Sequence, residues 1–239
     1  ALYFCIQSFM TFKSEYADEF LEYAKQKFRF AHKNPYIMEK IETEELYDFT
    51  TFELIPKKIH YFWFGGNPLP ESVKRCIASW KEFAPDYEII EWNESNCDVN
   101  EIPYVKEAYE NKKWAFVSDY FRVKIIEEYG GIYLDTDMEL FSSIDFVRTN
   151  SLVLPFETNN VCAGIIGATA HHPIVKQWYE SYLKDHFVKE DGSLDTENTI
   201  VVRLTNILNK YYKLDYHCVI NHLPGRVTIY PCNVFLVNV

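Results

Sequence analysis

The order of apolar and polar positions divides the chain near Ile55. From there onward, short apolar runs bounded by turn residues alternate with longer stretches whose apolar positions recur at helical spacing. Lys58–Phe64 reads as a strand ending in Gly65-Gly66. A helix starts at Pro70 and runs to about Phe83, with proline where a missing N–H costs little. Tyr87–Trp92 reads as a second strand. Glu101–Asn111 and Trp114–Tyr129 read as helices, the latter stopped by Gly130-Gly131. Ile132–Leu134 is a strand that runs into Asp135-Thr136-Asp137. Ser151–Pro155 and Val161–Ala168 are further strands, Pro173–Phe187 and Asp195–Tyr212 further helices, and Val227–Tyr230 a last strand. Such alternation predicts an α/β fold: a mostly parallel sheet covered by helices.

Residues 1–54 have a different texture, denser in aromatic rings. Ser14 can cap a helix to about Ala31, Asn34-Pro35 breaks it, and Tyr36 to about Phe49 reads as a second helix. The expectation is an N-terminal helical extension, open to a packing, lid or docking role, ahead of a main domain over 55–239.

Composition narrows the function. Lys and Arg total 24 against 35 Asp and Glu, a net charge of −11. Nucleic acid is therefore excluded as a partner, because basic side chains supply most of that affinity. The chain is 48% apolar, enough for a large core. Aromatic residues make up 17%, which suits either ring packing or stacking on flat ligands. The six cysteines are scattered, with no C-x-x-C pair, as expected of reduced thiols rather than a zinc site. No apolar run reaches the ~20 residues of a membrane span. The N-terminal stretch lacks the basic start of a signal peptide. The expected location is cytoplasmic, with peripheral association at the inner membrane face as the membrane option.

Three features carry candidate chemistry. Gly130-Gly131 turns the chain into a short apolar strand whose C-terminal end holds Asp135 and Asp137, and open α/β sheets bind ligands at that edge. Positions i and i+2 of a strand face one way, so both carboxylates would converge on a hard cation, Mg²⁺ or Mn²⁺; the bland alternative is a solvated turn. On the preceding helix Ser118, Asp119 and Arg122 share one face. They form either a surface ion pair or, given the apolar residues around them, one wall of a pocket. Trp63-Phe64-Gly65-Gly66 ends the first strand, where Trp63 either stacks on a base or joins the core.

Read together, the stretch from Ile55 to Pro70, Ser79-Trp80, Pro85 to Glu88, Glu91 to Glu94, Ala115 to Tyr120 and Gly130 to Asp137 resembles glycosyltransferase family 32. That family contains D-x-D sugar transferases of capsule and surface-polysaccharide synthesis, with a remote similarity to clostridial glucosylating toxins. The resemblance is good over about 55–170 and fades afterwards. It implies a GT-A fold and retaining transfer of a hexose from a UDP- or GDP-sugar to a glycan or polysaccharide acceptor. It also implies residue roles: Trp63 on the base with Phe64 and Gly65 beside it; Ser118, Asp119 and Arg122 on ribose and sugar; Asp135 on the donor and metal; Asp137 on Mn²⁺ or Mg²⁺. Asp135, Asp137 and Arg122 form the expected catalytic set. Glu157, Asn159 and Asn160 follow a strand where such enzymes place groups near the anomeric carbon, without a matched family residue. His171-His172 reads as an ordinary loop before Pro173.

One departure stands out. Family members close with a His-rich segment and Ser-Trp that complete the metal and diphosphate site, whereas this sequence ends at Val239 without them. His217 and His222 are poor substitutes. The expectation is a catalytic domain truncated at its C-terminus or a missing third ligand, and a catalytically silent nucleotide-sugar or glycan-binding module is the rival from another class. A haloacid-dehalogenase-type phosphohydrolase also carries D-x-D but needs Thr or Val where Glu139 stands.

Overall fold

The strand and helix signals resolve into one mixed, eight-stranded sheet with helices against its faces. The computed structural model describes residues 53–157, 160–217 and 219–235, all within one unit, Glu53–Val239. The helices expected in residues 1–52 lie outside the described residues.

Strand β1 (Lys58–Phe62) leads through helix α1 (Glu71–Phe83) to β2 (Glu88–Trp92), which pairs parallel to it. Helices α2 (Pro103–Glu110) and α3 (Trp114–Tyr129) then deliver β3 (Gly131–Leu134), parallel on the other side of β1. The rest of the sheet comprises β4 (Leu152–Glu157), β5 (Asn160–Val161), β6 (Ile165–Ala168), β7 (Asn221–Leu223) and β8 (Val227–Tyr230). The order is β2-β1-β3-β6-β4-β8-β7, with β5 beside β4. Antiparallel pairing enters through β6, which lies between β3 and β4. Helices α4 (Pro173–Glu180), α5 (Ile200–Tyr211) and α6 (Cys232–Phe235) complete the unit.

Three boundaries differ from the sequence reading. The strand expected over Val161–Ala168 is divided at 162–164, where the chain changes partner: Val161 pairs with β4, whereas the Asp135 N–H on the Gly164 carbonyl (2.8 Å) is in register with the β3–β6 ladder. The helix expected to reach Phe187 stops at Glu180. The Ser181 hydroxyl bonds back to the Trp178 carbonyl (2.6 Å), and Glu107 of α2 captures the N–H groups of Phe187 and Val188 (2.7 and 2.9 Å). The helix expected from Asp195 begins at Ile200, where the Thr199 side chain caps it. Strand β7 was not expected at all.

The two faces of the sheet explain the position of α3. One face packs Phe62, Tyr133, Leu152 and Leu154 against α3, whose residues from Val117 to Val123 are all buried. The other packs Ile59, Ile132, Leu134 and Ile165 against Trp80 of α1. A helix buried all round has no water to solvate its polar residues, so Ser118, Asp119 and Arg122 must find partners inside. The turn after α3 is equally constrained. Gly130 has φ +61°, and an added Cβ would lie 2.7 Å from the Ala170 nitrogen. His60, fully buried, accepts from the Trp92 indole at Nδ1 (3.1 Å) and donates from Nε2 to the Gly130 carbonyl (3.0 Å). Burial pushes its pKa down to about 4, consistent with a neutral ring in that bridge.

Gly167 in β6 is a contrasting glycine. It borders a small, wholly apolar cavity with Ile132 and Val153, and an added Cβ would meet its nearest neighbour, Ile55 Cδ1, at 3.5 Å. Gly167→Ala is expected to stabilise the fold by about 0.5–1 kcal/mol, through lower unfolded-chain entropy and some cavity filling. The urea midpoint reads this directly, and a lower midpoint would show that β6 cannot accept the methyl group.

Candidate functional site

Strand β3 is buried along its length and ends at Leu134. Beyond it the backbone turns: the Met138 N–H bonds to the Asp135 carbonyl (3.0 Å). Strand alternation therefore stops before the two acids, and the expectation that both face one way by i, i+2 geometry does not carry past Leu134. Asp135 is half-buried and engaged; Asp137 is exposed on the turn, and its carboxylate makes no hydrogen bond or ion pair among the described residues.

Arg122 gathers the buried half of the site. Its guanidinium meets Asp119 Oδ1 (3.2 Å), Asp135 Oδ1 (3.1 Å), Ser118 Oγ (3.2 Å) and the Ala163 carbonyl (3.0 Å), and lies 4.4 Å from the centre of the Tyr133 ring. The Tyr133 hydroxyl donates to the same Asp135 oxygen. Helical spacing supplies Ser118 and Asp119, the strand tip supplies Asp135, and the loop between β5 and β6 supplies a carbonyl. Burial raises the Asp119 pKa to about 6 even with Arg122 beside it. Burial opposes the charge on Arg122, but Tyr133, Asp135 and Asp119 outweigh it and hold the group above its ordinary value. Burial also lifts the Tyr133 hydroxyl far above the usual phenol range. Gly164 presses on the same point, since an added Cβ would lie 2.8 Å from Asp135 Oδ2.

The first-strand segment divides. β1 and β3 are parallel neighbours, so Trp63 to Gly66 leave the same sheet edge as Asp135. Trp63 is half-exposed, with its indole N–H on the Asn67 carbonyl (2.6 Å). Gly65 takes φ +93°, gives its N–H to Glu94 (2.7 Å) and abuts the Trp114 indole. Phe64, expected beside the donor, is buried, with its ring centre 5.9 Å from that of Phe62 and 5.6 Å from that of Phe121, so its side chain packs in the core. Glu157 is exposed at the end of β4 and Asn160 opens β5, while Asn159 lies outside the described residues.

Among the described residues, the histidines the sequence singled out have partners away from the Arg122 cluster. His172 is buried and caps α4, His171 pairs with Glu127, and His217 pairs with Asp215. Among the described residues, no group of three or more His, Cys, Asp or Glu side chains is placed to hold a metal. Sequence reasoning missed Tyr133 and Ala163. The first reads as a core position of a strand, and the second acts through a backbone carbonyl that no residue type announces.

A mixed sheet whose parallel half ends in a D-x-D turn is thus backed by a helix carrying Ser-Asp-x-x-Arg. Residues 70–154 match the family described as glycosyltransferase sugar-binding region containing DXD motif. A glycosyltransferase of Acanthamoeba polyphaga mimivirus is 24% identical over 76% of this chain and 75% of its own length. The Legionella pneumophila protein named subversion of eukaryotic traffic protein A is 24% identical over 57% of this chain. A Saccharomyces cerevisiae mannosyl phosphorylinositol ceramide synthase is 24% identical over 55%. The chain spans 26% of the Legionella protein and 39% of the yeast one. The solved PaToxG glycosyltransferase superposes with a TM-score of 0.52 and 19% identity, over 66% of this chain and 69% of its own, which shows a shared fold.

Proposed function

We propose that this chain is a retaining, metal-dependent hexosyltransferase that takes a UDP- or GDP-sugar and passes the sugar to a glycan or surface-polysaccharide acceptor. The observation that carries this reading is the Arg122 hub, which fixes Asp119 and Asp135 beside the free Asp137 carboxylate, inside the family-matched segment.

Asp137 fits the implied cation. Mg²⁺ and similar ions are commonly held by one or two carboxylates plus substrate phosphates, and Asp137 offers an exposed carboxylate with neither oxygen engaged. Asp137 would hold Mn²⁺ or Mg²⁺, which would supply charge stabilisation for the leaving nucleoside diphosphate. The chain's own residues do the remaining work. Trp63 stacks on the base. Ser118 and Asp119 meet ribose and sugar hydroxyls, and Arg122 holds both acids in place. Asp135 keeps Oδ2 for the donor while Oδ1 stays on Arg122 and Tyr133. The sugar gains oxocarbenium character as its bond to the diphosphate breaks, and the carboxylates nearby favour that positive charge.

The test is donor hydrolysis with UDP- and GDP-sugars and Mn²⁺, alongside thermal shifts. Release of the nucleoside diphosphate, and a melting temperature raised by nucleotide plus Mn²⁺, is expected with one base. Binding without release would identify the silent module instead, and neither effect would sink the reading. Trp63→Ala is expected to weaken nucleotide binding by about 1–3 kcal/mol in calorimetry, by analogy with base–aromatic stacking. Because Trp63 is half-exposed, the fold should survive, and unaltered affinity would remove it from the base site.

A further inference from the structure

A metal ligand on an exposed turn raises a physical problem. A carboxylate free of partners swings with its backbone, and catalytic groups need placement to within about 0.5 Å. Asp137 has no side-chain hydrogen bond or ion pair among the described residues, so its backbone must be held from elsewhere. On its N-terminal side the Asp135 N–H is bonded to Gly164. On its C-terminal side the restraint comes from α1, in three successive contacts. The fully buried Trp80 donates its indole N–H to the Met138 carbonyl (2.7 Å). Arg75 meets the Glu139 carboxylate (3.4 Å). Ser79 accepts the Leu140 N–H at Oγ (2.9 Å) and donates its own hydroxyl to the Cys76 carbonyl (2.7 Å).

We propose that Ser79 and Trp80 are positioning residues that fix the turn carrying Asp137, and so set its affinity for the divalent cation. The helix has a packing reason to bury a large ring here, but packing needs no indole nitrogen, and a phenyl ring would fill much of the space. It also commits a buried serine to a loop N–H sixty-one positions away. What both hydrogen bonds share is the backbone on either side of Glu139, immediately after the metal-binding acid. Arg75, by contrast, is mostly exposed and its ion pair is worth little. The inference rests on the proposed function, because it presumes that Asp137 takes a metal.

The experiment is an Mn²⁺ titration, followed by the electron paramagnetic resonance of free Mn²⁺, with UDP and separately with GDP. It compares the wild type, Trp80→Phe, Ser79→Ala and Asp137→Ala. Trp80→Phe and Ser79→Ala are each expected to weaken Mn²⁺ binding about tenfold or more, as loss of an outer-shell partner does. Metal-free nucleotide binding should stay unchanged, and Arg75→Gln should leave Mn²⁺ affinity within about twofold. A uniform loss of nucleotide and metal binding would reduce the pair to structural roles and overturn the proposal. So would wild-type Mn²⁺ affinity in Trp80→Phe and Ser79→Ala while Asp137→Ala loses it. If Asp137→Ala binds Mn²⁺ as well as the wild type, or the wild type binds none with either nucleotide, the functional reading itself falls and takes this one with it.

Discussion

Arg122→Met is expected to destabilise the protein by about 3–5 kcal/mol near pH 8, read from urea unfolding. That is a large share of the ~5–15 kcal/mol that holds a domain together. The size comes from what stays behind rather than from what is removed. Asp119 is buried and Asp135 half-buried, and both face the guanidinium. Without it Asp119 is a buried carboxylate that loses its nearest counter-charge, and Asp135 a half-buried one that loses its ion-pair partner. The pH dependence has a definite sign. Burial already raises the Asp119 pKa to about 6, and losing Arg122, which lowers it, moves the value higher. An acid whose folded pKa lies above its unfolded one binds more protons when folded, so it contributes most to stability at low pH and loses that contribution as pH rises through its folded pKa. The gap between Arg122→Met and wild type should therefore narrow between about pH 8 and pH 5. Taking the difference cancels His60, whose lowered pKa weakens both proteins alike as pH falls from its unfolded value towards 4. A gap that is constant with pH, or below about 1 kcal/mol, would show that the acids do not depend on Arg122.

The same residues show how much of the site is readable from sequence. Ser118, Asp119 and Arg122 come together because helical spacing is local: positions three and four apart share a face whatever the fold does later. The ends of α3 were equally legible, since Gly130 must adopt a left-handed backbone. What failed depends on contacts between distant segments. The division of the strand at 162–164 reflects a change of partner from β4 to β3, and the early end of α4 goes with Glu107 holding Phe187 and Val188. Neither partner is visible in a window around the element it interrupts. Ala163 and Gly164 illustrate the limit most clearly. One offers a carbonyl and the other an absent side chain, so residue type says nothing of their part in the site. Strand β7 is a three-residue edge with Asn and His, too short and too polar to show a period.

The second large effect concerns Asp137, and its diagnostic value lies in two measurements that move apart. Asp137→Ala is expected to lower donor hydrolysis by at least a hundredfold, roughly 3 kcal/mol of the several that a metal ion supplies to charge stabilisation. Stability should stay within about 0.5 kcal/mol of wild type, because the side chain is exposed and engages no partner among the described residues. Asp135→Ala should also abolish turnover, but with a loss of stability, since Arg122 and Tyr133 lose the carboxylate oxygen they share. Net charge sharpens the case. At −11 the protein repels a diphosphate, so removing an acid should leave metal-free nucleotide affinity the same or slightly better. If Asp137 holds a divalent cation with the donor, as proposed, that acid would be a requirement rather than a repulsive neighbour. The mutation should thus help nucleotide binding without Mn²⁺ and hurt it with Mn²⁺. Hydrolysis that survives in Asp137→Ala, or a loss of binding that ignores Mn²⁺, would mean that the D-x-D turn is not where the metal acts.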